Sequence, residues 1–216
     1  MIISKARKYV FVHIPKTGGT AMTLALEGRA AKDDIIIGDT PKARQRRKRL
    51  DALTPRGRLW KHSTLADIDG IVSAQDLSEM FCFTLVRNPW DRAVSYYHWL
   101  QGQSFDHPAV FLAKTKTFEA FMRDPETVAS FRNSPAPFYM IGADGVEHCD
   151  AYVRIEHLKS DLKPFNEHLG FDLTVGHANR SERDSDYRKY YDDALAEFVS
   201  ALCAEDIARF GYRFDS

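Results

Sequence analysis

The stretch Tyr9-Val-Phe-Val-His-Ile-Pro-Lys-Thr-Gly-Gly-Thr20 decides the fold. Its opening run over residues 9–14 is rich in β-branched and aromatic side chains. It has strand length and stops at Pro15, which cannot donate to a sheet ladder. Beyond Gly18-Gly19, Met22, Leu24, Ala25 and Leu26 fall at spacings that a packed helix over residues 20–27 accepts. The unit is therefore strand, glycine-rich turn, helix. A helix N-terminus offers unpaired N–H groups and a partial positive charge, so it takes up phosphate readily. The two glycines let the backbone approach an anion, Lys16 supplies a full charge, and Thr17 and Thr20 can add hydroxyl donors. For Gly-Gly alone a plain tight turn with a solvated lysine is the better reading. The strand–helix context turns it toward phosphate.

The loop is not a Walker A motif, because Lys16 precedes both glycines instead of following the second. Nothing downstream resembles a strand-ending aspartate that would hold a metal, which disfavours metal-assisted transfer of a γ-phosphate. A nucleotide without a metal is the expectation.

Working outward, Phe81-Cys-Phe-Thr-Leu-Val86 is a second buried strand that leads directly into Arg87-Asn-Pro-Trp-Asp91. Asn88 suits an N-cap, Pro89 the first helical position, and Asp91 the positive end of the dipole. Trp90, Val94 and Tyr97 then share one helix face. In parallel α/β sheets ligands gather at the carboxyl ends of strands. The ends at Ile14 and Val86 are thus expected to face one crevice, each with a cation and a helix N-terminus, which suits a nucleotide with two separate phosphates. Taken alone, Arg87 reads as an ion pair with Asp91 and Ser95 as a solvent-facing hydroxyl. The two strand ends together carry the phosphate reading.

Further along, residues 34–37 suggest a short strand, 151–155 another strand, and 158–169 a helix closed by Gly170. Residues 190–210 read as an amphipathic helix with Leu195, Phe198, Val199, Leu202 and Ile207 on the core side. Strands alternate with helices, and no repeat or low-complexity linker interrupts them. One α/β domain over residues 1–216 with a mainly parallel sheet is predicted.

Thirty Lys and Arg balance thirty Asp and Glu, so any anion site must be local, and no nucleic-acid partner is expected. Cys82, Cys149 and Cys203 form no CxxC pair, which favours a reducing compartment over a disulfide framework or thiolate zinc site. The apolar runs are too short to span a bilayer, and residues 1–10 lack a signal-peptide core, so a cytoplasmic location is expected.

The motifs carry a resemblance. His13-Ile-Pro-Lys-Thr-Gly-Gly-Thr20 resembles the 5′-phosphosulfate loop of the sulfotransferases that use 3′-phosphoadenosine 5′-phosphosulfate (PAPS). Val86-Arg-Asn-Pro-Trp-Asp-Arg-Ala-Val-Ser-Tyr96 is similar to their 3′-phosphate motif, in the carbohydrate-type branch that includes heparan sulfate 2-O-sulfotransferase. Arg154-Ile-Glu-His-Leu158, His177-Ala-Asn-Arg-Ser181 and the ending over 204–214 also resemble family segments, with Ile155 in place of the more usual Phe. The resemblance implies a P-loop-like three-layer α/β fold, a central sheet flanked by helices, PAPS as co-substrate and no metal. By position it implies that Lys16 contacts the 5′-phosphate and its bridging oxygen, with Thr17, Gly18, Gly19 and Thr20 around it. Arg87 and Ser95 would hold the 3′-phosphate, and Ser181 and Arg183 would close over the nucleotide.

Sulfonate transfer to an alcohol also needs a proton acceptor, and histidine suits that role near neutral pH. His62, in Trp60-Lys-His-Ser-Thr64, lies in polar sequence where the carbohydrate branch carries a catalytic histidine, and it is the chosen base. His13 reads as a core histidine. The expected acceptor is a hydroxyl on a carbohydrate. The basic run Lys42-Ala-Arg-Gln-Arg-Arg-Lys-Arg49 can meet an anionic acceptor or form a solvated face; Trp60, Trp90 and Trp99 can stack on sugar rings, but Trp90 reads better as a core residue. A kinase or ATPase with a degenerate phosphate loop, and a binding module without turnover, are the competing functions. The missing Walker order argues against the first, and the joint presence of Lys16, Arg87 and Ser95 against the second.

Overall fold

Val10, Phe11 and Val12 are wholly buried, and so are Cys82, Phe83 and Thr84 on the strand beside them. Burial of successive residues, whose side chains point to opposite faces, marks central strands covered on both sides. The computed structural model describes residues 1–176 and 183–215. Five strands, β1 (Ile2–Ser4), β2 (Tyr9–Val12), β3 (Ile35–Ile36), β4 (Phe81–Val86) and β5 (Ala151–Arg154), form one sheet in the order β3-β1-β2-β4-β5. β2, β4 and β5 are parallel, with Val10 opposite Cys82 and Leu85 opposite Val153. β1 is antiparallel to β2 and to β3, so it alone runs against the other strands of a mostly parallel sheet.

The helices are α1 (Gly19–Gly28), α2 (Pro41–Arg46), α3 (Ala74–Glu79), α4 (Pro89–Gln101), α5 (Pro108–Thr115), α6 (Phe118–Met122), α7 (Pro125–Arg132), α8 (Ala136–Met140), α9 (Leu158–Asp161), α10 (Lys163–Leu169), α11 (Asp193–Leu202) and α12 (Ala204–Phe210). The chain gathers into two compact units. The first is Met1–Val86 with the segment that begins at Ala136, and it holds the sheet, flanked by helices. The second is Arg87–Pro135 with the C-terminal segment described from Arg183, and its named elements are all helical.

In the first unit, one face of the sheet presents Ile2, Tyr9, Phe11, Phe83, Leu85 and Val153 to Met22 and Leu26 of α1 and to Phe165 of α10. Phe83 and Phe165 lie with ring centroids 4.1 Å apart. Each fully buried ring of this kind contributes about 2–3 kcal/mol. α1 buries Gly19, Met22, Thr23, Leu26 and Glu27, a single stripe at helical spacing. The basic run becomes α2 and a 3-10 turn over Arg47–Arg49. Lys42 donates to the Glu27 carbonyl, Arg46 to those of Ala31 (2.9 Å) and Asp34 (3.0 Å), and Arg49 to that of Lys32 (2.5 Å). These cations answer carbonyls at and beyond the C-terminus of α1, where a positive charge is favoured.

The structure departs from the sequence reading in three places. β1 was not expected, yet Met1, Ile2 and Ile3 are fully buried. The helix expected over 158–169 divides into α9 and α10, because Pro164 offers no N–H to continue the ladder. The helix expected over 190–210 divides at Cys203, whose φ of −109° leaves the helical range, and its first full turn begins only after the Asp192 cap. Leu195 and Val199 are its buried residues in α11.

In the second unit, Trp90 donates its indole N–H to the Ala196 carbonyl (2.9 Å), and Tyr191 donates to the Trp90 carbonyl (2.8 Å), which ties α4 to the C-terminal segment. Trp90 thus packs as a structural residue. Among the described residues no helix is long and apolar enough to cross a membrane.

Candidate functional site

The loop after β2 turns through Lys16, whose backbone is left-handed (φ 67°), and Gly18, also left-handed (φ 84°). For a lysine that conformation costs about 1 kcal/mol, so the neighbouring structure must hold it. The Thr17 hydroxyl donates to the Ile14 carbonyl (2.9 Å) and is buried, which staples the loop across its own base. Thr17 therefore spends its hydroxyl hydrogen on loop shape. Gly18 is the N-cap of α1 and no side chain caps that helix, while Gly19 and Thr20 form its first positions. Gly19 has a specific reason to lack a side chain: a Cβ there would run into the His13 imidazole.

His13 is buried, and its ring lies 4.7 Å from that of His62 in an edge-on arrangement. His62 Nδ1 is 2.7 Å from the His13 carbonyl oxygen. A carbonyl can only accept, so Nδ1 carries the hydrogen and the lone pair of the neutral ring is left on Nε2. Burial depresses the His62 pKa from 6.5 to about 4, opposed by the hydrogen bond to His13 and assisted by the Lys61 charge. Burial likewise holds His13 well below its ordinary value, with the neighbouring His62 adding to the effect. Both imidazoles are thus neutral at physiological pH. Trp60 packs edge-on against His62 at 5.0 Å. The segment around them is tied down: Ser63 Oγ donates to the Arg58 and Trp60 carbonyls (2.8 and 2.9 Å), and Thr64 and Asp67 bond reciprocally at the next turn. Lys16, Thr17, Gly18, Gly19, Thr20 and His62 all belong to the first unit, and the His13 ring links the loop to His62 by direct contact on both sides.

In the second unit Asn88 caps α4 by accepting from the N–H groups of Trp90 (3.1 Å) and Asp91 (3.5 Å), and Pro89 occupies the first turn. Arg87 engages Asp91 through Nε (2.8 Å) and its terminal nitrogen (2.6 Å). Arg183 pairs with the other oxygen of the same carboxylate. Asp91 therefore holds two guanidinium groups in place, a role whose only trace in the sequence is its spacing of four from Arg87. Ser95 stands one turn beyond Asp91 and is buried, not solvent-facing. Ser181 lies outside the described residues. Sequence reasoning missed the fit of His13 against Gly19, although three apolar neighbours before His13 mark it as a core position. Among the described residues no cluster of His, Cys, Asp or Glu gathers as a metal site.

A family model described as the sulfotransferase family matches residues 1–213. The fold is similar to that of a crystal structure of mouse sulfotransferase SULT7A1 complexed with PAP. The TM-score is 0.54 at 17% identity, over 95% of this chain and 85% of that one. No curated protein matches the chain in sequence.

Proposed function

This chain belongs to the sulfotransferase family, and from that premise we propose that it moves the sulfonate of PAPS to a carbohydrate hydroxyl, with His62 as the base. The observation that carries the reading is the bond from His62 Nδ1 to the His13 carbonyl, on a residue whose ring abuts the first residue of α1. It leaves Nε2 of His62 as the acceptor, and the helix N-terminus that the His13 ring abuts is free of side-chain caps. The PAP in the similar solved structure supports a 3′-phosphorylated donor here. The match over 1–213 supports one functional domain over residues 1–216.

In the transfer, the acceptor oxygen attacks sulfur in line with the bond to the 5′-phosphate. Nε2 of His62 takes the hydroxyl proton as the new S–O bond forms. The bond from sulfur to the bridging oxygen breaks, and the electron pair leaves on the 5′-phosphate of 3′-phosphoadenosine 5′-phosphate (PAP). Lys16 and the N–H groups at the start of α1 stabilise that developing charge. Thr17, Gly18, Gly19 and Thr20 shape the cradle, Arg87 and Ser95 take the 3′-phosphate, and Ser181 and Arg183 close over the nucleotide. A low His62 pKa keeps the base unprotonated but weak, and the several negative charges of the donor raise it on binding, toward the range where a base is efficient. Three free thiols suit a reducing, cytoplasmic setting.

Single-turnover rates and PAP affinities of His62→Gln test the assignment. Turnover should fall about 10²–10⁴-fold with PAP affinity held within twofold. Normal turnover in His62→Gln removes His62 from the reaction.

A further inference from the structure

The helix α4 carries two stripes. Trp90, Val94 and Tyr97, at i, i+4 and i+7, are buried and form the apolar one. Asp91, Ser95 and His98 repeat that spacing one residue further on, so a polar stripe runs beside it. Asp91 anchors Arg87 and Arg183, and Ser95 belongs to the proposed 3′-phosphate site. His98 completes the stripe and has no part in either role.

The His98 ring is held on two sides, edge-on against Tyr190 (5.0 Å) and against Tyr97 (5.4 Å). Its Nε2 is buried, and among the described residues that atom has no hydrogen-bond partner. Buried polar atoms are nearly always bonded, so an orphan of this kind calls for a partner from outside the chain. Burial lowers the His98 pKa from its ordinary 6.5, the Arg183 charge lowers it further, and Gln101 opposes both. Arg183 thus bonds to Asp91 at one end of the stripe and acts electrostatically on His98 at the other. Beside a guanidinium an unpaired lone pair costs less than an unpaired N–H, which leaves the hydrogen of the neutral ring on Nδ1.

We infer that His98 is a proton-linked contact for the 3′-phosphate of the donor, taking up a proton at Nε2 as the nucleotide binds. Ser95 and His98 are three positions apart on α4, so their side chains are neighbours, with about 5–6 Å between Cβ atoms. A phosphate on the Ser95 hydroxyl is then within reach of the imidazole. A dianion set beside a neutral imidazole favours its charged form. The proton comes from solvent, and Nε2 turns from a lone pair into an N–H donor to a phosphate oxygen, a charge-assisted bond. Among the described residues the charged and titratable groups around His98 are Arg183, with Asp91 behind it, and the two tyrosines. Arg183 keeps its charge throughout, and burial holds the Tyr97 hydroxyl above its ordinary value. His98 is the group that changes charge near neutrality.

The contact rests on the reading that Arg87 and Ser95 hold the 3′-phosphate, and the experiment separates the two. PAP and adenosine 5′-phosphate are titrated calorimetrically into wild type, His98→Gln and His98→Phe at pH about 7.5, in buffers of different ionisation enthalpy, which counts the protons taken up. Glutamine offers an N–H near the place of Nε2 and does not titrate, and phenylalanine keeps a ring against Tyr190 without a nitrogen. The ligand's own protons are common to the three proteins and cancel. On binding PAP, wild type should take up about half a proton or more beyond either variant. On binding adenosine 5′-phosphate the three should not differ. PAP affinity should fall about 3–10-fold in His98→Phe, less than the full worth of a charge-assisted bond because the ring must first be protonated. The loss should be smaller in His98→Gln. The gap between wild type and His98→Phe should widen as pH falls from about 8 to about 6.5, since the imidazole then takes its proton more readily. Affinity for adenosine 5′-phosphate, which also reports folding, should stay within about twofold in all three. If wild type binds PAP more tightly than adenosine 5′-phosphate, then equal proton uptake with PAP in all three proteins, or equal losses for the two nucleotides, would overturn the contact. PAP bound no more tightly than adenosine 5′-phosphate by wild type would instead overturn the 3′-phosphate reading, and the contact with it.

Discussion

Two strand-to-helix connections, Ile14 to Gly19 and Val86 to Pro89, look alike in sequence, yet they prepare for an anion by opposite means. After β2 the chain leaves the start of α1 without a side-chain cap and sets Lys16 and Gly18 in left-handed backbone. After β4 the start of α4 is closed by Asn88, whose oxygen accepts from two N–H groups and whose nitrogen donates to Tyr187 (3.2 Å) and the Arg213 carbonyl (3.1 Å). Backbone dipole is on offer at the first connection and already spent at the second. What the second presents instead is guanidinium, with Arg87 and Arg183 sharing Asp91. The sequence expectation that both ends bring a helix N-terminus to a ligand therefore needs amending: a capped helix cannot lend the same N–H groups twice.

The largest effect is expected from the first connection. Gly19→Ala would drive the His13 ring from its place, and with it the carbonyl that orients His62. Turnover should fall about 10²-fold or more, since a misplacement of about 1 Å carries that cost, and PAP affinity should fall too. Unchanged kinetics in Gly19→Ala would break the link between loop and base.

A smaller effect is expected in the pH dependence of stability. The folded His62 pKa, about 4, lies below the 6.5 of an ordinary imidazole. The unfolded chain thus binds a proton that the folded one refuses as pH falls. The stability contribution is complete above about pH 6.5, is lost between 6.5 and 4, and changes no further below that. The complete loss is on the order of 3 kcal/mol. Denaturant midpoints of wild type and His62→Gln at pH 7.5 and at pH about 4.5 should therefore converge or cross toward acid, by the linkage of pKa to stability. A constant gap contradicts the buried neutral imidazole.

Asn88→Ala should cost about 1 kcal/mol, the worth of a cap, with a matching fall in melting temperature. Because α1 has no side-chain cap to lose, the same test has no counterpart at Gly18. A silent Asn88→Ala would mean that the two helix starts are not as different as their hydrogen bonds indicate.

Much of this was legible from residue order. β2, β4 and β5 announce themselves as β-branched and aromatic runs, and Asn88-Pro89 marks the start of α4 to the residue. β1 was not legible, because three residues are too few for a periodic pattern and the charged stretch after it masks its burial. Nor were α5, α6 and α7, which are short and begin at caps from His107, Thr117 and Asp124, so that local capping and not periodicity sets them. At the site, the types Lys16, His62 and Arg87 could be picked out by chemistry. The tautomer of His62 could not, since it depends on a carbonyl forty-nine positions away in the chain. The commitment of half the basic run to the carbonyls after α1 was equally hidden, because nothing local distinguishes Arg46 from Arg47.

We propose that the uncapped connection reads the 5′ end of the donor while Arg87, at the capped one, reads its 3′-phosphate. The most direct measurement is calorimetric titration of wild type and Arg87→Ala with PAP and with adenosine 5′-phosphate, which lacks the 3′ group. The account predicts a loss of about 10–100-fold for PAP in Arg87→Ala, with adenosine 5′-phosphate changed by less than about twofold. Equal losses for the two ligands would contradict it.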